Sequence, residues 1–408
     1  MSAHRPAVVL LAVLTAGVGL VAPTAAVRAE GAEGACASDR DAAVITEASW
    51  GQRLMSPDGA WARTRGDVVV AVVDTGVDGA TRSLAGAVLP GTDLDGGRGD
   101  GDCFGRGTFV ASLIAGDPVE GTEFLGTAPD ATILPVRITD DPDDHEVRER
   151  LPEVLAEGIR LAVDGGASVI AVPAVADRTS AALGDAVAAA TEADVLVIAA
   201  AAAPEADALA YPAGLDGVLA VAPLGEDGPS AANGLGAVPD LAAPAEGLVG
   251  AAPGGDGHVS AGGAELAVGY AAGAAALVRA EYPELSAEQV TARLTGTADR
   301  SGAVEASGLD RDSATGFGVV DPVAAATRLE DDAPAAVAPE AGALVVPAEP
   351  DRRPALVALA VAGGSLALAA GVLLPAVGVV LLRRAGRGGA RAPRGVREDD
   401  ADGGRRYR

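Results

Sequence analysis

Aromatic residues make up only 2% of this 408-residue chain, lysine is absent, and there are two cysteines and three histidines. With so few rings, any core must be built from small and branched side chains, and Ala, Val and Leu supply most of the 49% hydrophobic content. The absence of lysine leaves arginine as all 30 basic residues, a compositional bias that fits GC-rich codons and names no function. Positive charge is scarce as well, since 57 acidic residues bring the formal net charge to -27. That balance opposes a phosphate-neutralising surface and argues against nucleic-acid binding. It suits a soluble, exported ectodomain without naming a partner.

The two ends of the chain carry what the middle lacks, long apolar runs. Residues 1–29 read as a secretory signal peptide: His4 and Arg5 form a short positive start, Ala7–Val21 is apolar, and small residues allow cleavage after Ala26 or Ala29. An uncleaved N-terminal anchor is the competing reading, although the run is short for a span. A second apolar run, Pro354–Leu382, is long enough to cross a bilayer, and six arginines from Arg383 to Arg397 follow it. The positive-inside tendency then keeps the C-terminus in the cytoplasm and the large domain outside. The expected layout is therefore a signal peptide (1–29), an N-terminal extension (30–65), one large domain (66–329), an acidic Ala/Pro-rich linker (330–353), a transmembrane helix (354–382) and a basic cytoplasmic tail (383–408). Both cysteines, Cys36 and Cys103, fall in the exported part, where two thiols most simply form one disulfide. Two free thiols are the other reading, and a zinc site lacks further ligands nearby.

Between these ends, strands and helices alternate. Val68–Asp74 is an all-apolar run closed by an aspartate, as expected of a strand buried on both faces of a parallel sheet. Further strands are expected at Ala131–Ile138, Ser168–Val175, Val195–Ala201 and Val218–Pro223. Helices are expected at Gly107–Ala115, Glu149–Gly165, Leu183–Glu192 and Ala264–Glu281, and at Ser286–Gly296, where a serine cap is followed by Gln289. Such alternation predicts a three-layer α/β domain with right-handed crossovers. Both tryptophans, Trp50 and Trp61, lie in the lead-in, which is expected to dock by burying them.

Three segments carry the chemistry. Asp74 closes the first strand in Val-Val-Asp-Thr-Gly. Arg106 sits in Cys103-Phe-Gly-Arg-Gly-Thr-Phe-Val-Ala, and Glu265 opens an Ala/Gly-rich helix running through Ala272-Gly-Ala-Ala-Ala-Leu-Val278. Asp-Thr-Gly also marks aspartic proteases, but those need a second catalytic aspartate in a paired lobe, and no second Asp-Thr-Gly occurs. The loop from Asp93 to Asp102 is rich in aspartate, yet its spacing does not match an EF-hand. A flexible acidic loop is the simpler reading, with a bound metal as the alternative.

These segments resemble the three signature blocks of the subtilisin-like serine proteases. The resemblance extends from Trp50 to about Leu329 and includes Gly126-Thr-Ala-Pro-Asp130, Asp240-Leu-Ala-Ala-Pro244 and Gly316-Phe-Gly-Val-Val-Asp-Pro322. It implies a subtilisin-like domain with a mostly parallel sheet and a triad in which aspartate orients histidine and histidine takes the serine proton. Asp74 matches the aspartate position. At the histidine position stands Arg106, whose pKa above about 12 rules out general-base work near neutrality. Glu265 stands at the serine position, and Ala203 stands where the family has its oxyanion asparagine, donating nothing from its side chain. His145, in an acidic surface loop, and His258, in a glycine-rich loop bordering the cleft, are the only other histidines of the exported part. With its signal, its cysteine before Arg106 and its C-terminal anchor, the chain is similar to the mycosins, membrane-anchored subtilases of type VII secretion.

The resemblance then implies a degenerate, non-catalytic member acting as a structural component of a type VII secretion membrane complex, with no cofactor. An active endopeptidase with an unorthodox site and a membrane-tethered peptide-binding module are the alternatives. If the fold is kept, Arg106 is expected to hydrogen-bond Asp74 and Glu265 at once through its fork of donors.

Overall fold

The computed structural model describes residues 42–142, 144–231, 233–300 and 311–329. The signal peptide, Cys36, the linker, the apolar run 354–382 and the basic tail all lie outside the described residues.

Ten strands and seven α-helices follow one another along the chain among the described residues. The strands are β1 Val69–Asp74, β2 Thr92–Asp93, β3 Thr132–Arg137, β4 Val169–Val172, β5 Leu196–Ala200, β6 Val218–Gly225, β7 Gly228–Pro229, β8 Leu241–Pro244, β9 Leu248–Ala251 and β10 His258–Ala261. The helices are α1 Trp50–Met55, α2 Arg106–Ala115, α3 His145–Asp164, α4 Ala181–Glu192, α5 Ala267–Glu281, α6 Ala287–Thr297 and α7 Pro322–Thr327. The main sheet has the order β2-β3-β1-β4-β5-β6-β7, with β8 also paired to β6. All its pairings are parallel except β6 with β7. β9 and β10 form a separate antiparallel hairpin.

The buried faces follow from the residue pattern. In β1, every residue from Val70 to Asp74 is buried, and β4 and β5 are buried throughout, because helices cover both sides of the sheet. On one side, α3 presents Leu151, Leu155, Ile159 and Ala162 to the sheet and keeps its acidic residues outside. Asp144 caps it, its carboxylate accepting the Glu146 N–H at 2.7 Å. On the other side, α2 and α5 run through the core. Every residue of α5 from Ala267 to Arg279 is buried, so this helix is apolar all round rather than along one stripe. Small residues allow the close packing: a Cβ added to Gly273 would lie 2.4 Å from the Thr127 Cβ.

The N-terminal extension docks as expected, but with both tryptophans half-buried. The indole N–H groups of Trp50 and Trp61 donate to the carbonyls of Glu246 at 2.6 Å and Thr127 at 3.1 Å. Tyr270 of α5 is buried, and burial raises its pKa while a hydrogen bond with the Ser49 side chain opposes that shift. Among the described residues no helix is long and apolar enough to cross a membrane, and no cysteine is free.

Candidate functional site

Parallel sheets of this kind present their crevices at the carboxyl ends of the strands. Asp74 is the last residue of β1 and is fully buried. A buried carboxylate without a partner is costly, and here the partner comes from the first residue of α2. Arg106 Nε donates to Asp74 Oδ2 at 2.9 Å and to Oδ1 at 3.1 Å, and Nη2 donates to Oδ1 at 2.5 Å. This is a bidentate, charge-assisted pair, with the Arg106 side chain only 16% exposed. Burial by itself would lower the Arg106 pKa. The charge of Asp74 and its hydrogen bonds outweigh that, with smaller contributions from Glu265 and Asp102, and hold it above the ordinary arginine value.

The start of α2 is fixed by several short contacts. Gly105 precedes it in a left-handed conformation (φ 97°) that suits glycine. A Cβ on Gly107 would fall 1.9 Å from the Gly76 carbonyl oxygen, so the helix can press on the turn after β1 only with glycine there. The N–H of Gly107 donates to Thr75 Oγ1 at 3.0 Å. Asp102 accepts from the N–H groups of Gly105 (2.7 Å) and Thr108 (2.8 Å) and from the Thr108 hydroxyl (2.7 Å), supplying acceptors for the open end of the helix. Burial pushes the Asp102 carboxyl up to about 6, against the pull of those hydrogen bonds and with help from the charge of Asp74.

Across the cleft, Glu265 lies in a tight turn, Ala264–Leu266, that leads into α5. It is half-buried, and its carboxylate folds back over Gly263, where an added Cβ would meet Oε1 at 2.3 Å. Ala203 follows β5, and even its backbone N–H is taken, donating to the Gly234 carbonyl at 3.0 Å. Arg106, Ala203 and Glu265 line one cavity of about 450 Å³, with an Arg148–Glu205 ion pair of 2.7 Å at its wall. A second cavity of about 550 Å³ shares Ala203 and Glu265 and adds Ser230, Asn233 and Glu246.

The structure thus brings Arg106, Glu265 and Ala203 around one cleft, with Asp74 buried behind Arg106, but it corrects three expectations. Arg106 does not bridge two carboxylates: its Nε–Nη2 edge is fully engaged by Asp74, and the Glu265 carboxylate makes no ion pair or hydrogen bond among the described residues. His258 lines neither cavity; it is the first residue of β10, buried and held against the N-terminal segment. His145 is exposed, but it begins α3 rather than lying in a loop. In the acidic loop, Asp93 pairs with Arg137 and Asp100 with Arg98, while Asp102 caps α2. Among the described residues no group of three or more potential metal ligands is gathered. Asp102 was missed as a site residue because it was read as one more acid of that loop. No cap signal marked it, because a cap ordinarily stands immediately before its helix, whereas Asp102 reaches Thr108 from four residues before Arg106.

The comparisons agree with this geometry. The Subtilase family model matches residues 65–318. Mycosin-1 of Mycolicibacterium smegmatis is 32% identical over 367 residues, covering 76% of this chain and 79% of that protein. Mycosin-3 of Mycobacterium tuberculosis is 34% identical over 396 residues, covering 82% and 83%. Among solved structures, the serine protease MycP1, described as an essential component of the type VII (ESX-1) secretion system, superposes with a TM-score of 0.60 at 30% identity over 70% of this chain and 90% of its own. A chain of the periplasmic assembly of the ESX-5 inner membrane complex gives 0.59 at 30% identity over 74% and 89%. This chain belongs to the subtilase family and is homologous to the mycosins within it.

Proposed function

We propose that this protein is a non-catalytic mycosin homologue that serves as a structural component of a type VII secretion complex. On this reading Arg106, Glu265 and Ala203 occupy the histidine, serine and oxyanion-asparagine positions, and Asp74 retains the triad aspartate. The observation that carries the reading is the Arg106–Asp74 pair. The aspartate that would orient a histidine is saturated by a guanidinium, and the charge and hydrogen bonds of that carboxylate hold the guanidinium protonated against the opposing effect of burial. A group that cannot release its proton near neutrality cannot take one from a nucleophile. On the opposite wall a carboxylate replaces the hydroxyl, and Ala203 has neither a side-chain donor nor a free N–H for an oxyanion.

The membrane attachment belongs to the same proposal. The signal at 1–29 and the apolar run at 354–382 place the domain outside the cytoplasmic membrane with its C-terminus inside, and Cys36 is the partner of Cys103, clipping the extension to the loop before α2. The mycosins supply the partner class: some of the similar solved chains are parts of ESX-5 inner membrane complexes.

The test pairs two measurements on the purified full-length protein. No cleavage of a peptide library and no labelling by a fluorophosphonate are expected, whereas co-purification with the secretion-channel proteins from native membranes is expected. Cleavage or labelling would establish the active-endopeptidase reading instead. The open cleft of about 450 Å³ favours one further alternative, a membrane-tethered peptide binder. Peptide capture without channel association would select it.

A further inference from the structure

His258 is one of two histidines among the described residues and is 2% exposed, yet neither cavity of the cleft includes it. Its contacts are with the N-terminal extension. Ala43 pairs antiparallel with it: the Ala43 N–H donates to the His258 carbonyl at 3.1 Å, and the His258 N–H donates to the Ala43 carbonyl at 2.8 Å. Its ring joins the same contact, Nδ1 accepting the Ile45 N–H at 3.4 Å, while the ring lies tilted by 55° against Phe124 at 5.1 Å between centroids. The next residues continue the attachment: Thr46 accepts the Glu123 N–H at 2.8 Å, and the Glu123 carboxylate accepts the Ala48 N–H at 3.3 Å.

A ring nitrogen can accept a hydrogen bond only in the neutral imidazole. Protonation makes both nitrogens donors, and Nδ1–H would then face the N–H of Ile45 across a part-buried contact. We propose that residues 43–48 form an acid-sensitive latch, closed by neutral His258 and released when its imidazole takes up a proton.

Burial lowers the His258 pKa from the ordinary 6.5. Because the folded value lies below the free one, the latch has its full stability above pH 6.5 and loses it as pH falls from there toward the folded value. The charged groups on the elements around the ring are Glu47 on the segment, Glu123 beside Phe124, and Asp256 before β10, which pairs with Arg82 at 2.7 Å. Burial alone displaces the imidazole. Opening would uncover the outer edge of β10, an unpaired strand edge of the kind that recruits other strands. Its partner β9 is tied to the helix that begins with Arg106, the Ala251 N–H donating to Ser112 Oγ at 2.9 Å.

The experiment is hydrogen–deuterium exchange of the full-length protein at pH 7.5 and 5.5, with rates normalised to the unprotected rate at each pH. Protection of residues 43–48 should fall by up to about tenfold over this range, one pH unit below the ordinary histidine value corresponding to a factor of ten, while β1 and α5 keep theirs. His258→Gln retains an acceptor but does not titrate, so its segment should show the same protection at both values. That arm also separates His258 from Asp102, whose carboxyl burial pushes up to about 6. A pH-independent segment in the unmodified protein, or the same acid response in the variant, overturns the latch. Should the variant fail to fold, an NMR titration of His258 in the unmodified protein decides, and a pKa at or above 6.5 overturns it.

Discussion

Asp74 and Glu265 are both carboxylates beside the same cleft, one ending a central strand and the other preceding a central helix. Asp74 is fully buried and held by one edge of a guanidinium; Glu265 is half-buried and makes no ion pair among the described residues. The difference teaches what burial demands of each carboxylate. A buried aspartate without a partner would be an uncompensated charge, so the residue opposite it must be a donor, and the fork of Arg106 supplies one. A position open to the cleft imposes no such condition, and a carboxylate can stand there hydrated.

The sharpest way to break this comparison is to remove the arginine. Arg106→Ala leaves Asp74 buried and unpaired, and breaking such a pair costs on the order of 3–5 kcal/mol, to be read as a fall in the denaturation midpoint at constant slope. Asp74→Ala in the same background should recover part of that loss. A cost under about 1 kcal/mol would mean that water reaches Asp74 and that the two halves of the cleft are alike.

The next expected effect is catalytic. Arg106→His with Glu265→Ser rebuilds the triad side chains but leaves Ala203. Adding Ala203→Asn should raise kcat on a chromogenic peptide by about 10²–10³ over the double variant, the usual contribution of one oxyanion donor. Equal rates for the double and triple variants would show that position 203 is not the oxyanion position and would count against the proposed alignment.

How far the cleft could be read in advance depended on whether local sequence or long-range packing set each part. β1, β3, β4, β5 and β6 were legible as apolar runs because a parallel sheet covered on both faces admits little else; their observed ends differ from the expected ones by three residues at most. The capping box of α6, with Ser286 and Gln289 answering each other, was legible from two residues. The start of α3 was missed by four residues because its cap, Asp144, stands in a run of acids that reads as loop. The short strands β2 and β8 and the β9–β10 hairpin were missed, since four residues or fewer carry no periodicity. In the cleft, the identities of Asp74, Arg106 and Glu265 were legible, but not which carboxylate the arginine would choose. That choice rests on Gly107 pressing α2 against Gly76 and on Glu265 folding over Gly263, contacts between distant parts of the chain.

The smallest expected effect tests the open half. Glu265 has no direct partner among the described residues, but its charge is one of the lesser influences that keep Arg106 protonated. Glu265→Gln should therefore change stability by no more than about 0.5 kcal/mol, the range for substitutions away from buried networks. What remains should be electrostatic. In about 1 M salt the screening length shrinks to roughly 3 Å, so the difference between variant and parent measured at low salt should vanish there, while the cost of Arg106→Ala, set by a shielded contact, should persist. A loss above about 1 kcal/mol for Glu265→Gln that survives high salt would place Glu265 in the buried network, and the contrast between the two carboxylates would fail.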